Sequence, residues 1–279
     1  MMKVDAHQHF WNLDKVSYPW LGPQHGPIYR TFEAPELEPW IRQAGIDRTV
    51  VVQAMNSDQD TEYLLQVAKE YPWIGGIVGW VPLDQPDLAG RRLEELVKNP
   101  VFKGVRHLIH EEPDPDWVIR DVVIEGLKVL AAFGIPFDVV AVFPDHLRHV
   151  PTLAEKIPNL NMVIDHLAKP PIKDHAMEPW RSQIKSAARY PQVFAKVSGL
   201  NTAADWKTWT AEDLRPYIDA ALDAFGAERL MFGSDWPVAI QAGDYEKVWV
   251  ETMRVLGSYS MDEQDAIVGK TAQIFYHLS

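Results

Sequence analysis

The chain has 279 residues and a formal net charge of −12 at pH 7, and it contains no cysteine. An acidic surface repels phosphate backbones and anionic lipid head groups, so the charge argues against nucleic acid or a membrane as a partner. Without cysteine there are no disulfides, thiolate ligands or cysteine nucleophiles, and any metal would need His and carboxylate ligands.

The sequence shows no targeting signal. No stretch approaches the roughly 18 consecutive apolar residues that a membrane span needs. The first residues reach Asp5 and His7 too early for a signal peptide. We therefore expect a cytoplasmic protein with a small-molecule substrate and no organic cofactor. The sequence leaves open whether the chain forms a homo-oligomer.

Short apolar runs alternate along the chain with longer amphipathic stretches. The runs cover residues 3–9, 48–54, 74–83, 102–109, 135–142, 161–166, 193–200 and 229–235. Helical spacing of apolar residues is found at 60–71, 87–98, 118–133, 178–190, 211–225, 245–256 and 261–276. Gly or Pro follows several of these stretches, as at Phe133-Gly134, where helix ends belong.

This alternation predicts a single (β/α)8 TIM-barrel domain over residues 1–279, with an extra C-terminal helix. Near-continuous apolar strands separated by helices indicate a parallel sheet covered on both faces. Eight such strands suit a barrel, which typically needs about 250 residues. The long irregular stretch 11–33 after the first strand is predicted to pack over a site, because it carries several aromatic residues: Trp11, Tyr18, Trp20 and Tyr29.

Active sites of such barrels lie at the carboxyl ends of the strands, where the first and last strands carry the main candidates. His7 and His9 end the first strand, and strand alternation places both imidazoles on one face. Asp235 follows the eighth apolar run and precedes Trp236-Pro237, which places its carboxylate at the barrel mouth. Each pattern alone also has an ordinary structural explanation, such as unrelated histidines or a turn aspartate.

The sixth and fourth strands add further candidates. The sixth ends in Asp165-His166, of which alternation sends one side chain inward and the other outward without deciding which. The fourth brings Arg106 and His107 to the rim as substrate-binding candidates, with a salt-bridged barrel arginine as the structural alternative. Three strand-end Trp residues would supply an aromatic wall for the apolar face of a sugar ring: Trp11, Trp80 and Trp236.

In this chain order, these residues resemble the amidohydrolase superfamily. Several segments are similar to its branch of sugar-lactone and related lactone hydrolases: 4–11, 18–21, 103–107, 165–170, 196–200 and 232–237. The resemblance implies that His7, His9 and Asp235 form the ligand set of one divalent metal ion, with zinc as the first candidate. It also implies that His166 orients water or polarises a carbonyl group.

Two departures from the superfamily pattern argue against a site for two metal ions. The fifth strand has Asp138 in a segment where many members place another metal-binding His, and Lys103 of the fourth strand faces away if Arg106 faces inward. The branch also includes lactonases that work without a metal, so the metal requirement stays open. Whether Asp165 or Asp138 assists catalysis stays open as well.

The resulting hypothesis is a hydrolase that opens the ester bond of a small lactone, with a sugar lactone as the leading candidate. Asp235 is the predicted general base for water, assisted by His7, His9 and His166, and Arg106 binds the substrate. One alternative is a superfamily decarboxylase of an unsaturated acid, disfavoured by the missing His of the fifth strand. A TatD-like phosphodiesterase is disfavoured by the acidic charge. A degenerate barrel that only binds a ligand is the non-enzyme alternative.

Overall fold

The eight apolar runs form one sheet of eight parallel strands in a computed structural model, which describes residues 1–279. The strands pair in chain order: β1 Val4–Gln8, β2 Arg48–Val52, β3 Ile74–Gly79, β4 Phe102–His107, β5 Phe137–Val139, β6 Met162–Ile164, β7 Val193–Val197 and β8 Leu230–Phe232. Beyond β1 and β8, the Asp235 amide donates to the His7 carbonyl at 2.8 Å and the His9 amide donates to the Trp236 carbonyl at 2.7 Å. The predicted (β/α)8 barrel is confirmed.

Helices connect the strands and cover the outside of the barrel. They are α1 Ala34–Ala44, α2 Asp58–Glu70, α3 Pro86–Leu96, α4 Asp121–Phe133, α5 Val150–Lys156, α6 Trp180–Ala188, α7 Ala211–Phe225 and α8 Tyr245–Leu256. The extra C-terminal helix consists of α9 Met261–Asp265, a π-helical segment Ala266–Lys270 and α10 Thr271–Phe275. None of the helices combines the length and apolar character that crossing a membrane requires.

Two helices differ from the sequence-based prediction, and all eight strands end earlier than the apolar runs predicted. Helix α1 was not predicted because Pro35 and Pro39 interrupt its pattern, and α5 has only seven residues, too few to show a period. Strands β5, β6 and β8 have three residues each, fewer than predicted. The apolar runs continue beyond these strands as buried backbone that leaves the sheet. The side chains that follow are therefore free to turn into the barrel mouth.

The C-terminal helix closes the amino end of the barrel. Ala272, Phe275 and Tyr276 pack there in a buried cluster. The strand residues of this cluster are Val4, Ala6, Val50, Val52, Val78, Val163 and Met231. Gly269 permits the close approach, because a Cβ at this position would lie 2.1 Å from the carbonyl oxygen of Met2. Side chains thus fill the interior at the amino end, so a ligand would enter the barrel at the carboxyl end.

Candidate active site

Two histidines reach the barrel axis at the end of β1 because this strand contains a β-bulge. The register against β2 slips by one residue between Asp5 and Gln8. The slip lets His7 and His9 point into the barrel together, as predicted from their spacing. Their ring centroids are 4.8 Å apart and their Nε2 atoms 3.1 Å apart. Both side chains are buried.

A left-handed turn after β6 brings both Asp165 and His166 into the barrel. The prediction that one of the two faces outward is therefore wrong. Residues 166–169 all have positive φ, between 49° and 62°, which breaks the alternation of side chains. The same turn places Lys169 Nζ 3.7 Å from Asp235 Oδ2. Such backbone is unfavourable for residues other than glycine and often marks functional sites.

Asp235 lies at the centre of the site, after β8, with a φ of 57°. Its Oδ1 atom is 3.7, 3.5 and 3.8 Å from the Nε2 atoms of His7, His9 and His166, respectively. Gly199, after β7, leaves the room for this arrangement. A Cβ at Gly199 would lie 2.5 Å from Asp235 Oδ2 and 2.7 Å from His166 Nδ1. The structure therefore brings together the four side chains that the sequence singled out.

Hydrogen bonds on the far side of two imidazoles orient their Nε2 atoms toward Asp235. His9 Nδ1 lies 2.7 Å from the carbonyl oxygen of Val52, which can only accept. Nδ1 therefore carries the proton of the neutral ring, and Nε2 carries the lone pair. His166 Nδ1 is 2.9 Å from Ser198 Oγ, which fixes the orientation of this ring in the same way.

His7, His9 and Asp235 have the chemistry and spacing of a site for one divalent cation. Ligand atoms about 2.0–2.1 Å from a tetrahedral zinc ion lie roughly 3.4 Å from one another. The distances among the two Nε2 atoms and Asp235 Oδ1, 3.1, 3.7 and 3.5 Å, bracket this value. The other carboxylate oxygen, Asp235 Oδ2, is buried without a hydrogen-bond partner. These residues fit a divalent metal ion.

A cavity of about 330 Å³ opens above these side chains at the carboxyl end of the barrel. Three of the four central residues, His9, His166 and Asp235, line it. The other polar residues of the lining are Arg106, His110, Glu111 and Lys169. Its apolar wall consists mainly of Trp11, Trp20, Leu108, Val140, Val142 and Val238. The two Trp rings belong to the long segment after β1 and meet edge to face, with centroids 5.6 Å apart.

Arg106 lines the cavity and is also held by the protein. Nη1 donates to Asp165 Oδ2 at 3.3 Å, and Nη2 donates to the carbonyl oxygen of Gln53. The Nε atom is buried without a partner. The structural and the substrate-binding interpretations of Arg106 are therefore compatible, because an ion-paired guanidinium still has an N–H group free for a ligand.

Three of the predicted substrate-binding residues lie outside the cavity lining: His107, Trp80 and Trp236. Alternation along β4 turns His107 away from Arg106, and Trp80 Nε1 donates to its Nδ1 at 3.1 Å. Trp236 is buried against Phe32, with ring centroids 5.4 Å apart. A position at a strand end therefore did not suffice to place these side chains in the cavity, since their partners lie in the surrounding loops.

The comparison with protein families covers almost the whole chain. The amidohydrolase family model matches residues 4–278. This chain belongs to the amidohydrolase family. The resemblance predicted from the sequence is confirmed.

Two curated relatives of this amidohydrolase are lactonases by name. L-fucono-1,5-lactonase of Burkholderia ambifaria is 37% identical over 286 residues, which cover 99% of this chain and 96% of that protein. L-fucono-1,5-lactonase of Burkholderia multivorans is 34% identical, with 99% and 96% covered. The crystal structure of an amidohydrolase from Burkholderia multivorans with bound zinc has a TM-score of 0.93 at 33% identity and covers 100% of both chains.

A buried charged cluster beneath the amidohydrolase site was not predicted from the sequence. Lys196 Nζ lies 2.5 Å from Asp138 Oδ2, 3.1 Å from Asp165 Oδ1 and 3.1 Å from His7 Nδ1. The Tyr276 hydroxyl donates to Asp138 at 2.8 Å. Neither aspartate lines the cavity. The signal available in the sequence was a lysine inside an apolar strand, which must be paired if it faces the core.

Burial sets the protonation state of the imidazoles. It lowers the pKa of His7, His9 and His166, that of His166 to about 3. The three rings are therefore neutral at pH 7 and can offer lone pairs. Burial alone would raise the pKa of Asp235, but its neighbours, among them the ammonium group of Lys169, outweigh burial and hold this pKa below its usual range. Asp235 is therefore ionised at pH 7.

Proposed function

We propose that this chain is a lactonase that hydrolyses the ring ester of a small sugar lactone. The observation that carries the proposal is the carboxylate of Asp235, a cavity-lining residue that is buried and ionised and whose Oδ2 atom has no hydrogen-bond partner. A free acceptor in such a place is what the deprotonation of an attacking water requires. The names of the two relatives at 37% and 34% identity point to the same reaction.

Asp235 is the general base in this proposal. It takes a proton from water as the water attacks the lactone carbonyl, and it returns the proton to the ring oxygen that leaves as an alcohol. Lys169 Nζ, 3.7 Å from Asp235 Oδ2, keeps the carboxylate ionised between turnovers. His166, whose Nε2 is 3.8 Å from Asp235 Oδ1, holds the water or the carbonyl in place.

The carbonyl oxygen needs hydrogen-bond donors that are already in position when the lactone binds and that stay in place as the oxygen becomes negatively charged. Arg106 offers its buried Nε–H group, which lacks a partner within the protein. Because Asp165 and Gln53 fix the rest of the guanidinium, little reorganisation accompanies the reaction. His7, His9 and Asp235 would hold a divalent cation, which would supply Lewis-acid chemistry at the site. Zinc is the first candidate, as in the amidohydrolase structure from Burkholderia multivorans.

The lining of the cavity suits a sugar ring with one apolar face. A volume of about 330 Å³ lies at the lower end of the usual range for small-molecule sites, about 300–1,000 Å³. Trp11 and Trp20 face the ring from one side, and Glu111 and His110 offer hydrogen-bond partners for hydroxyl groups. Because two relatives are named L-fucono-1,5-lactonases, L-fucono-1,5-lactone is the first substrate to test.

A pH-indicator assay tests the proposal. Purified protein is offered a panel of aldonolactones and dicarboxylate lactones, with and without chelator, and the spontaneous ring opening is subtracted. We expect acid release from at least one sugar lactone, lower rates with chelator and recovery with Zn²⁺. Binding without acceleration of any lactone would indicate a degenerate barrel, and CO2 release from an unsaturated acid would indicate a decarboxylase. Either result would overturn the proposal.

A further inference from the structure

The segment that follows β2 holds two side chains of the cavity wall through its backbone. The Gln53 carbonyl accepts a hydrogen bond from Arg106 Nη2, and the Ala54 carbonyl accepts one from Trp20 Nε1 at 2.7 Å. Both side chains line the cavity. The direction of these two carbonyl groups therefore sets where the guanidinium and the indole lie.

One carboxylate oxygen fixes both of the peptide groups concerned. Asp60 Oδ2 accepts hydrogen bonds from the amides of Ala54 at 2.8 Å and Met55 at 3.2 Å. The Ala54 amide belongs to the same peptide group as the Gln53 carbonyl, and the Met55 amide to the same group as the Ala54 carbonyl. In a planar trans peptide group, the N–H and C=O bonds point in opposite directions. By holding the two N–H groups, Asp60 therefore orients the two carbonyls that contact the cavity wall.

The carbonyl that precedes these two is fixed in a different way. The Val52 carbonyl lies 2.7 Å from His9 Nδ1. The N–H of the same peptide group, that of Gln53, donates to the Val78 carbonyl at 2.8 Å, as in a regular sheet. Strand β2 ends at Val52, and the next two amides find their acceptor in Asp60 instead of a neighbouring strand. His9 is thus held by the sheet and does not depend on Asp60.

Asp60 itself lies outside the cavity lining, in the first turn of α2, and is fully buried. Its carboxylate has no bond to an amide of its own helix, so helix capping does not account for it. Its other oxygen, Oδ1, accepts from the Tyr18 hydroxyl at 2.7 Å. Tyr18 precedes Trp20 by two residues, so the same carboxylate also holds the segment that carries this indole.

We propose that Asp60 is a positioning residue for the substrate, because it sets the places of Arg106 and Trp20 through the two peptide groups after β2. The inference rests on the proposed function only in taking these two side chains as contacts of a lactone. Loss of the carboxylate should weaken substrate binding but not the binding of a divalent cation through His9. A purely structural role would not separate these two effects.

Asp60→Ala removes the acceptor of both amides and tests the proposal. A displacement of about 1 Å can cost about 100-fold, so KM for the lactone should rise about 10- to 100-fold, whereas Zn²⁺ affinity in competition with a chelating dye should stay within about 3-fold. Crystal structures of the wild type and the variant should show Arg106 and Trp20 displaced and His9 in place. Unmoved Arg106 and Trp20, or a loss of Zn²⁺ affinity as large as the rise in KM, would overturn the proposal. The crystal structures decide this even if no lactone is opened, which would contradict only the proposed function.

Glu251→Ala is the matched control. Glu251 is another buried carboxylate that accepts from a backbone amide, that of Ala211 at 2.8 Å, and it lies outside the cavity lining. The variant should lose stability, because a buried amide loses its acceptor, but its KM should not change. An equal rise of KM in both variants would show that Asp60→Ala acts through lost stability alone.

Asp60→Asn keeps the shape of the side chain and an acceptor oxygen, so it keeps the test decisive if Asp60→Ala does not fold. We expect its oxygen to face the two backbone amides and its NH2 group to face the Tyr18 hydroxyl, with KM within about 3-fold of the wild type. A side chain that turns away and displaces Arg106 and Trp20 would also support the proposal. A side chain that turns away while both stay in place would overturn it, and so would a KM raised about 10-fold with both amide contacts retained.

Discussion

In the middle of the barrel, Asp138 and Lys196 are paired with each other, whereas at the carboxyl end Asp235 and Arg106 each have one atom without a partner. Asp138 accepts hydrogen bonds from both Lys196 and Tyr276. Asp235 Oδ2 and Arg106 Nε have no hydrogen-bond partner although they are buried, and both residues line the cavity. Leaving a buried polar group unpaired typically destabilises a fold by about 1–3 kcal/mol. The unpaired atoms of Asp235 and Arg106 therefore destabilise the free protein, and a ligand in the cavity would supply their partners.

The backbone shows the same contrast. The strands β5, β6 and β8 are regular and short, but the residues that follow β6 and β8 adopt positive φ, as in 166–169 and at Asp235. Such conformations are unfavourable for residues with a Cβ and persist only when the surroundings enforce them. The regular barrel thus carries the stability, and the connections after its strands carry the strained geometry that aims the side chains.

The largest effect is expected from Asp235→Asn. The amide keeps the shape of the side chain but cannot accept a proton from water, so kcat on the true substrate should fall about 100- to 10,000-fold. Thermal unfolding should show that the variant still folds. Asp174→Asn, at an exposed position, is the control and should keep its activity. Near-normal turnover of Asp235→Asn would remove this residue from its role as the base.

A smaller loss of activity is expected from Gly199→Ala, which tests the packing around Asp235 and His166 at the carboxyl end of the barrel. The added methyl group would lie 2.5 Å from Asp235 Oδ2 and 2.7 Å from His166 Nδ1, and the φ of 56° disfavours alanine. A displacement of the base by about 1 Å can lower the rate about 100-fold. Gly134→Ala, at a helix end with φ 67° and no neighbour near its Cβ, should lose stability but not activity. Equal activity losses in both would contradict the account.

Arg106→Met should act on substrate binding more than on turnover. Loss of the unpaired Nε–H group should raise KM about 10-fold while kcat changes less. Arg106→Lys keeps the positive charge beside Asp165 but lacks this N–H group, so its KM should stay raised. Steady-state kinetics on both variants would reveal the difference. An unchanged KM in both would show that Arg106 serves only its ion pair with Asp165.

The smallest effect on activity is expected from Tyr276→Phe, because Tyr276 packs at the amino end of the barrel, away from the cavity. The change removes the hydroxyl that donates to Asp138 but keeps the ring that closes the barrel. Chemical denaturation should show a loss of about 1–3 kcal/mol, the usual effect of leaving a buried acceptor short of a donor. Activity of the folded variant should stay within about 3-fold of the wild type, since the hydroxyl lies outside the cavity lining. A large drop in kcat with unchanged stability would show that the buried cluster around Asp138 takes part in catalysis.

Much of the fold and part of the site could be predicted from the sequence. Alternating apolar runs and helices predicted eight strands, because burial on both faces requires that pattern. The spacing of His7 and His9 predicted their shared face, and this holds in the structure through a bulge that the sequence did not reveal. Asp165 and His166 were misjudged because the left-handed turn breaks the alternation on which the prediction depended.

The remaining features depend on contacts between distant segments. Lys169, His110 and Glu111 line the cavity because turns after β6 and β4 bend toward it, and nothing in the local pattern indicates this. Lys196 was visible as a charged residue within an apolar strand, yet its partners come from β5, from the turn after β6 and from the C-terminal segment. Pairings of this kind become apparent only in three dimensions.

The central claim is that position 235 presents its carboxylate to the ester of a bound lactone. The most direct test is a crystal structure of the Asp235→Asn variant soaked with the lactone that the wild type opens fastest. We predict an intact ring between Trp11 and Arg106, with a water molecule within about 3.5 Å of both the carbonyl carbon and the side chain at 235. A lactone whose ester faces away from that side chain, or one bound outside the cavity, would contradict the account.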